Sequence, residues 1–109
     1  MKLQEIAEKL ELTKLTPAYD KEVTGVYISD MVSDVIANAK AGNLLVTVQV
    51  HANALAAANL VDICGIIVAQ GKQPADDVVR MATKAEISIF STALSRWQVA
   101  TKLYEAGLR

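Results

Sequence analysis

The sequence has little that could hold a metal ion, form a cross-link or span a membrane. Its 109 residues include one cysteine, Cys64, and one histidine, His51. A single cysteine excludes an internal disulfide and favours a reducing, cytoplasmic setting. One cysteine and one histidine together cannot complete a structural zinc site, which needs four ligands. The longest apolar run, residues 63–69, is far shorter than the roughly 20 residues of a transmembrane helix. We therefore expect no metal, no cofactor and no membrane partner.

The chain also has no large excess of positive or negative charge, and it has few aromatic residues. Eleven basic and twelve acidic residues give a net charge of -1, and the basic residues are scattered, which argues against nucleic-acid binding. Aromatic residues make up 5% of the chain and hydrophobic residues 52%. That apolar content excludes a disordered chain. The length predicts a single domain over residues 1–109, with a core of aliphatic side chains.

The usual catalytic and nucleotide-binding motifs are missing. The sequence contains no P-loop, no dinucleotide-binding glycine pattern, no serine nucleophile elbow and no HExxH zinc motif. The one candidate for a general acid or base is His51, and no second group is placed beside it by the sequence. We therefore expect that the chain is not an enzyme.

Strand and helix patterns alternate along most of the chain. Strand patterns begin near residues 23, 44, 63 and 87, and each is followed by a helical pattern. An amphipathic helix in the first ten residues and a short strand near residues 12–15 precede them. Such alternation with short loops predicts an α/β fold, a three-layer α/β/α sandwich whose mostly parallel sheet has about five strands.

Polar residues follow each predicted parallel strand, where the chain enters the next helix. Ligands of open parallel sheets bind beyond the carboxyl ends of the strands, and helix N-termini favour anions. The candidate ligand-binding residues are Asp30, His51, Asn53, Gly71, Lys72, Ser91 and Thr92. A structural interpretation is open for each: Gly71 and Lys72 as turn residues, and the others as caps of the following helices.

One segment is almost uncharged. Between Gly42 and Gly71 the one charged residue is Asp62, and the helix predicted over residues 53–61 is small or apolar nearly all round. A surface helix normally has a charged face. We therefore predict a homodimer contact on this helix, formed by Leu55, Ala57, Ala58 and Val61. The alternative is an exposed alanine-rich face.

Two further side chains have predicted structural roles. Trp97 lies on a helical stripe with Leu94, Ala100 and Thr101, which predicts a place in the core or in an interface. Cys64 lies inside an apolar strand, which predicts an inert core thiol rather than a nucleophile.

Three segments resemble the DRTGG domain family over essentially the whole chain. They are residues 23–28 (VTGVYI) with 30–35 (DMVSDV), residues 65–68 (GIIV) with Gly71 and Pro74, and residues 87–92 (ISIFST). The DRTGG string itself is absent: the corresponding junctions read QVHAN at residues 49–53 and AQGK at residues 69–72. The family resembles the N-terminal domain of HPr kinase/phosphorylase. The resemblance implies a three-layer fold, homodimerisation and a regulatory role.

Three functional hypotheses follow. The first is a non-catalytic regulatory or interaction domain acting as a homodimer, with a possible protein partner. The second is a sensor of a small anionic ligand, such as a nucleotide or phosphometabolite, at the carboxyl ends of the strands. The third is a STAS-like anti-sigma antagonist, in which Ser29 or Ser91 would be phosphorylated.

Overall fold

The computed structural model describes residues 1–108. In this range the helices are Leu3–Lys9 (α1), Val32–Asn38 (α2), Ala52–Leu60 (α3), Asp76–Lys84 (α4) and Arg96–Glu105 (α5). The strands are Thr13–Lys14 (β1), Gly25–Ile28 (β2), Asn43–Thr47 (β3), Gly65–Val68 (β4) and Ser88–Ser91 (β5). The predicted alternation of strands and helices is confirmed.

The strands form one mixed sheet in the order β1-β5-β4-β3-β2. Strands β2 to β5 are parallel to one another, and β1 pairs antiparallel with β5. The four parallel strands therefore follow chain order across the sheet, and all of them end at the same edge. This confirms the predicted α/β fold with a mostly parallel sheet.

Helices cover both faces of the sheet. One core cluster joins α1 and α5 to the sheet through residues such as Leu44 and Phe90. A second cluster joins α2, α3 and α4 to the other face, where Leu45 points. Neighbouring residues of β3 thus enter different clusters, because successive side chains of a strand point to opposite faces. The layers are those of an α/β/α sandwich. Helices α1 and α5 form one outer layer, and α2, α3 and α4 form the other.

The helix starts differ from the caps that the sequence suggests. Helix α5 begins after Ser95, whose Oγ accepts from the N–H of Gln98 while the Gln98 side chain accepts from the N–H of Ser95. Ser91 instead belongs to β5, and Thr92 Oγ1 accepts from the N–H of Leu94 in the loop. The sequence placed the start of α5 too early because a hydroxyl at a local turn resembles a helix cap.

Gly42 allows the turn between α2 and β3 to pack against the start of β2. Its φ is +82°, and a Cβ there would lie 2.6 Å from Thr24 Oγ1. We expect Gly42→Ala to lower the free energy of unfolding by about 2 kcal/mol, since it adds both backbone strain and a clash. Gly71→Ala is the matched control, because Gly71 also has positive φ but no atom within 4 Å of its Cβ position. Urea unfolding should show a loss of about 1 kcal/mol for the control; equal losses would contradict the packing argument.

Candidate functional site

The residues predicted to bind a ligand lie along the edge where the parallel strands end. Asp30 follows β2, His51 ends the loop after β3, Gly71 and Lys72 follow β4, and Thr92 follows β5. The topology brings them to one side of the domain, but it does not collect them in one pocket. Three separate local arrangements hold them.

Asp30 links the ends of β2 and β3 to the start of α5. Its Oδ1 accepts from Thr47 Oγ1 at 3.0 Å and from the Val48 N–H at 2.9 Å, while Oδ2 pairs with Arg96 Nη1. Arg96 is the first residue of α5, so the carboxylate connects β2, β3 and α5. The adjoining cavity, about 10 Å³, has room for roughly one water molecule. A carboxylate with these partners is suited to holding elements together, not to binding an anion.

His51 and Asn53 form the start of α3. His51 Nδ1 accepts from the Asn53 N–H at 3.1 Å, so His51, and not Asn53, is the side-chain cap of this helix. The cavity beside His51 measures about 10 Å³ and has no room for a metabolite.

The loops after β4 and β5 are tied together. The Gln70 N–H donates to the Leu94 carbonyl at 2.8 Å, and the Gly71 N–H donates to the Thr92 carbonyl at 2.9 Å. Chains that leave adjacent parallel strands toward opposite faces normally open a ligand crevice between them. Here α4 and α5 lie on opposite faces, but the two hydrogen bonds close that crevice. Lys72 is exposed outside it.

A larger cleft of about 520 Å³ lies on the β1 side of α5. Ser91 and Thr92 line it together with Lys9, Glu11 and Lys102. In the described part of the chain, neither lysine takes part in an ion pair. Sequence reasoning missed the two lysines because they are far apart in the chain and each resembles an ordinary residue of a helix's last turn.

A second polar cluster fastens α2 to β2. The Tyr27 hydroxyl and the Asn38 amide each donate to Asp34 Oδ1 at 2.8 Å. Hydrogen bonds from Ser29, Tyr27 and Asn38 lower the pKa of the Asp34 carboxyl. The hydrogen bond to Asp34 and the partial burial of the Tyr27 hydroxyl raise the pKa of Tyr27. The cluster therefore fixes α2 against β2, the edge strand of the sheet.

The predicted dimer contact on α3 lies mainly inside the protomer. Leu55, Ala57 and Ala58 are buried against the second core cluster, and Val61 is half-buried beside it. The residues that α3 turns outward are instead Asn53, Ala56, Asn59 and Leu60. The sequence could not distinguish the inner from the outer face, because this helix is small and apolar on all sides.

Helix α5 carries an exposed apolar stripe. Val99 and Leu103 fasten the helix to the sheet, while Trp97 is 76% and Tyr104 58% exposed. Ala100 and Thr101 lie between these aromatics, and the four residues with Glu105 line a shallow groove of about 380 Å³. Trp97 is therefore outside the core. Of the two places predicted for it from the sequence, an interface is the one that stays a prediction.

Cys64 is buried, and its Sγ donates to the Gly42 carbonyl at 3.3 Å. Burial raises the pKa of the thiol to about 11, so it stays protonated near neutral pH, as an inert core thiol should. Among residues 1–108, no three His, Cys, Asp or Glu side chains group as metal ligands would. No helix in the same range is long and apolar enough to cross a membrane.

Comparison with known proteins agrees with the sequence resemblance. The DRTGG domain family matches residues 5–106, and a search of curated proteins finds no match. The fold is similar to a crystal structure of the CBS and DRTGG domains of the regulatory region of Clostridium perfringens pyrophosphatase, complexed with its activator diadenosine tetraphosphate. The TM-score is 0.73 at 14% identity.

That match covers 94% of this chain and 45% of the chain in that crystal structure, so this chain spans less than half the length of the crystallised regulatory region. At this identity the similarity shows the fold alone. The family match extends over nearly all of the chain, from α1 to the end of α5. This chain belongs to the DRTGG domain family.

Proposed function

We propose that this chain is a non-catalytic regulatory domain that acts as a homodimer. The similar fold in the pyrophosphatase is part of a regulatory region, which supports the regulatory half of the proposal. The polar groups at the strand ends support the non-catalytic half, because Asp30 and His51 are both used in structural hydrogen bonds.

The exposed stripe on α5 carries the homodimer proposal. The chain has five aromatic residues, one Trp, three Tyr and one Phe. Phe90 is buried and Tyr19 and Tyr27 are partly buried, whereas Trp97 and Tyr104 are exposed on one face of one helix. Aromatic side chains are enriched at protein interfaces, and clustered exposure marks an interaction surface.

Light scattering after gel filtration tests the proposal. We expect a mass of twice 11.7 kDa at micromolar concentration, since an interface that serves regulation must persist at such concentrations. A dilution series should then show return to the single-chain mass. A single-chain mass throughout the micromolar range would contradict the homodimer.

A second candidate function is sensing of an anionic ligand in the cleft beside α5. Lys9 and Lys102 supply two positive charges there against one negative charge from Glu11, and Ser91 and Thr92 also line the cleft. Basic and hydroxyl side chains in a cleft of this size suit a phosphate-bearing metabolite. The STAS-like alternative gains no such support, because Ser91 is buried within β5 and Ser29 Oγ accepts from the Met31 N–H.

Thermal unfolding with inorganic phosphate, AMP and ATP tests the sensor. A ligand at a hundredfold its Kd should stabilise the domain by about 2.7 kcal/mol. We expect Lys9→Ala and Lys102→Ala to reduce this stabilisation, and Lys72→Ala to leave it unchanged because Lys72 lies outside the cleft. The absence of any shift, or a loss caused by the Lys72 variant alone, would contradict this site.

A further inference from the structure

We propose that the cleft beside α5 binds a sugar phosphate, a hydroxylated metabolite that carries a single phosphate group. The inference rests on the sensor function proposed above as the second candidate, and it specifies the class of ligand. Its evidence is the balance of charge in the cleft, the one carboxylate among the residues that line it and the hydrogen-bond donors there that have no partner within the described chain.

The positive charge of the cleft matches one phosphate group. Lys9 and Lys102 are the basic residues that line it. Among residues 1–108 neither ammonium group forms an ion pair, so both are available to a ligand. A phosphate monoester carries about two negative charges near neutral pH, which two ammonium groups balance. A second phosphate would bring negative charge for which the lining residues provide no further cation.

Glu11 makes the cleft selective. Its carboxylate lines the same cleft and, within the described chain, takes part in no ion pair or side-chain hydrogen bond. An ionised carboxylate only accepts hydrogen bonds, so it favours hydroxyl groups and repels a second phosphate. Such a repulsive group contributes to specificity together with the attractive contacts. The ligand therefore presents its phosphate to the lysines and its hydroxyl groups to Glu11.

Uncharged donors in the cleft suit the phosphate oxygens. Ala93 lines the cleft, and its N–H has no acceptor among residues 1–108. Ser91 also lines it and is 4% exposed, and its Oγ has no hydrogen-bond partner in that range. No fully enclosed side-chain oxygen or nitrogen in the described chain lacks a partner, so the Ser91 Oγ retains contact with solvent. Both groups are therefore free to donate to a bound molecule, as backbone N–H and hydroxyl groups do in small-molecule sites.

The cleft has room for such a ligand. Its volume of about 520 Å³ lies within the roughly 300–1,000 Å³ of small-molecule sites. Leu10 and Leu94 supply apolar surface for the carbon skeleton. The lining residues come from the end of α1, from the chain that leaves β5 and from α5. A bound sugar phosphate would therefore link three segments that are distant in the sequence.

Calorimetric titration of the full chain with glucose 6-phosphate, glucose 1,6-bisphosphate and inorganic phosphate tests the ligand class. We expect glucose 6-phosphate to bind at least tenfold more tightly than either of the other two. The bisphosphate differs from it only by the second phosphate, and inorganic phosphate lacks the hydroxylated skeleton. Lys9→Ala and Lys102→Ala should each weaken the binding of glucose 6-phosphate at least tenfold, because each removes one of the two cations of the cleft.

Glu11→Gln provides a second measurement, because it removes the negative charge and keeps the shape of the side chain. We expect this variant to reduce the preference for glucose 6-phosphate over the bisphosphate at least fivefold. The matched control is Glu8→Gln, since Glu8 is an exposed acid of α1 that does not line the cleft. The control should leave the preference within about twofold of that of the native chain.

The outcomes separate the ligand class from the sensor function. No binding of glucose 6-phosphate, binding no tighter than that of the other two compounds, or an unchanged preference in Glu11→Gln would overturn the ligand class. The thermal shifts with AMP and ATP described above would then still decide the sensor function. Binding of glucose 6-phosphate that both lysine variants leave unchanged would place the ligand outside this cleft and overturn both proposals.

Discussion

The Trp97→Ala variant should raise the Kd of the proposed homodimer about a thousandfold. Trp97 is 76% exposed in the protomer, so its large apolar surface is available for burial against a second copy. Truncating a central aromatic of an interface costs about 2 kcal/mol or more. A symmetric dimer loses the side chain twice, so the loss is about 4 kcal/mol, roughly three powers of ten in Kd. Sedimentation equilibrium over a wide concentration range measures it.

The control for this variant is Met81→Ala, which truncates an exposed apolar side chain on α4. We expect its dimer to keep the Kd of the native chain. Neither substitution should change the unfolding free energy of the protomer by more than about 0.5 kcal/mol, because neither side chain belongs to a core cluster. A large loss of protomer stability in Trp97→Ala would show that the residue serves the fold instead of assembly.

The Asp30→Ala variant should lose about 3 kcal/mol of unfolding free energy. The carboxylate accepts two hydrogen bonds from β3 and its flank and also pairs with Arg96. Hydrogen bonds to a charged group contribute about 1.5–3 kcal/mol each and are not additive. Urea denaturation monitored by circular dichroism measures the loss, and a change below about 1 kcal/mol would contradict the anchoring role.

Arg96→Ala separates the ion pair from the other bonds of Asp30. Both side chains of the pair are partly exposed, so the pair itself contributes at most about 1 kcal/mol and weakens in salt. We expect the single variant to lose no more than that amount. Anion binding gives an independent comparison: if Asp30→Ala abolished binding without loss of stability, Asp30 would belong to a ligand site after all.

Local patterns were enough to predict the architecture. The β-branched and aliphatic runs that end at residues 28, 47, 68 and 91 became parallel strands because the helix between each run and the next returns the chain to the same end of the sheet. The buried strand β4 and the amphipathic helix α1 were recognisable from their side chains alone. Strand order and the antiparallel direction of β1 were not, because pairing depends on contacts between distant segments.

The candidate site was harder to predict from sequence. The strand-end rule predicted that the candidate residues would lie at one edge of the sheet, but it could not show that Gly71 and Thr92 tie two loops together, or that Asp30 reaches Arg96 across 66 positions of the chain. Lys9 and Lys102 have no shared sequence signal, and only the packing of α1 beside α5 brings them to one cleft. Hydrogen bonds between residues so far apart in the sequence depend on where the folded backbone places them.

The sequence by itself determined the α/β/α layers, the parallel strands and the family, because these depend on hydrophobic periodicity and short connections. Only the tertiary structure decided which apolar residues are buried within the protomer and which are exposed. Helix α3, apolar on all sides, buries Leu55, Ala57 and Ala58 in its own protomer, whereas α5 leaves Trp97 and Tyr104 outside. Periodicity shows that a helix has an apolar face, but the position of the sheet determines whether that face is covered by the same chain or left for another.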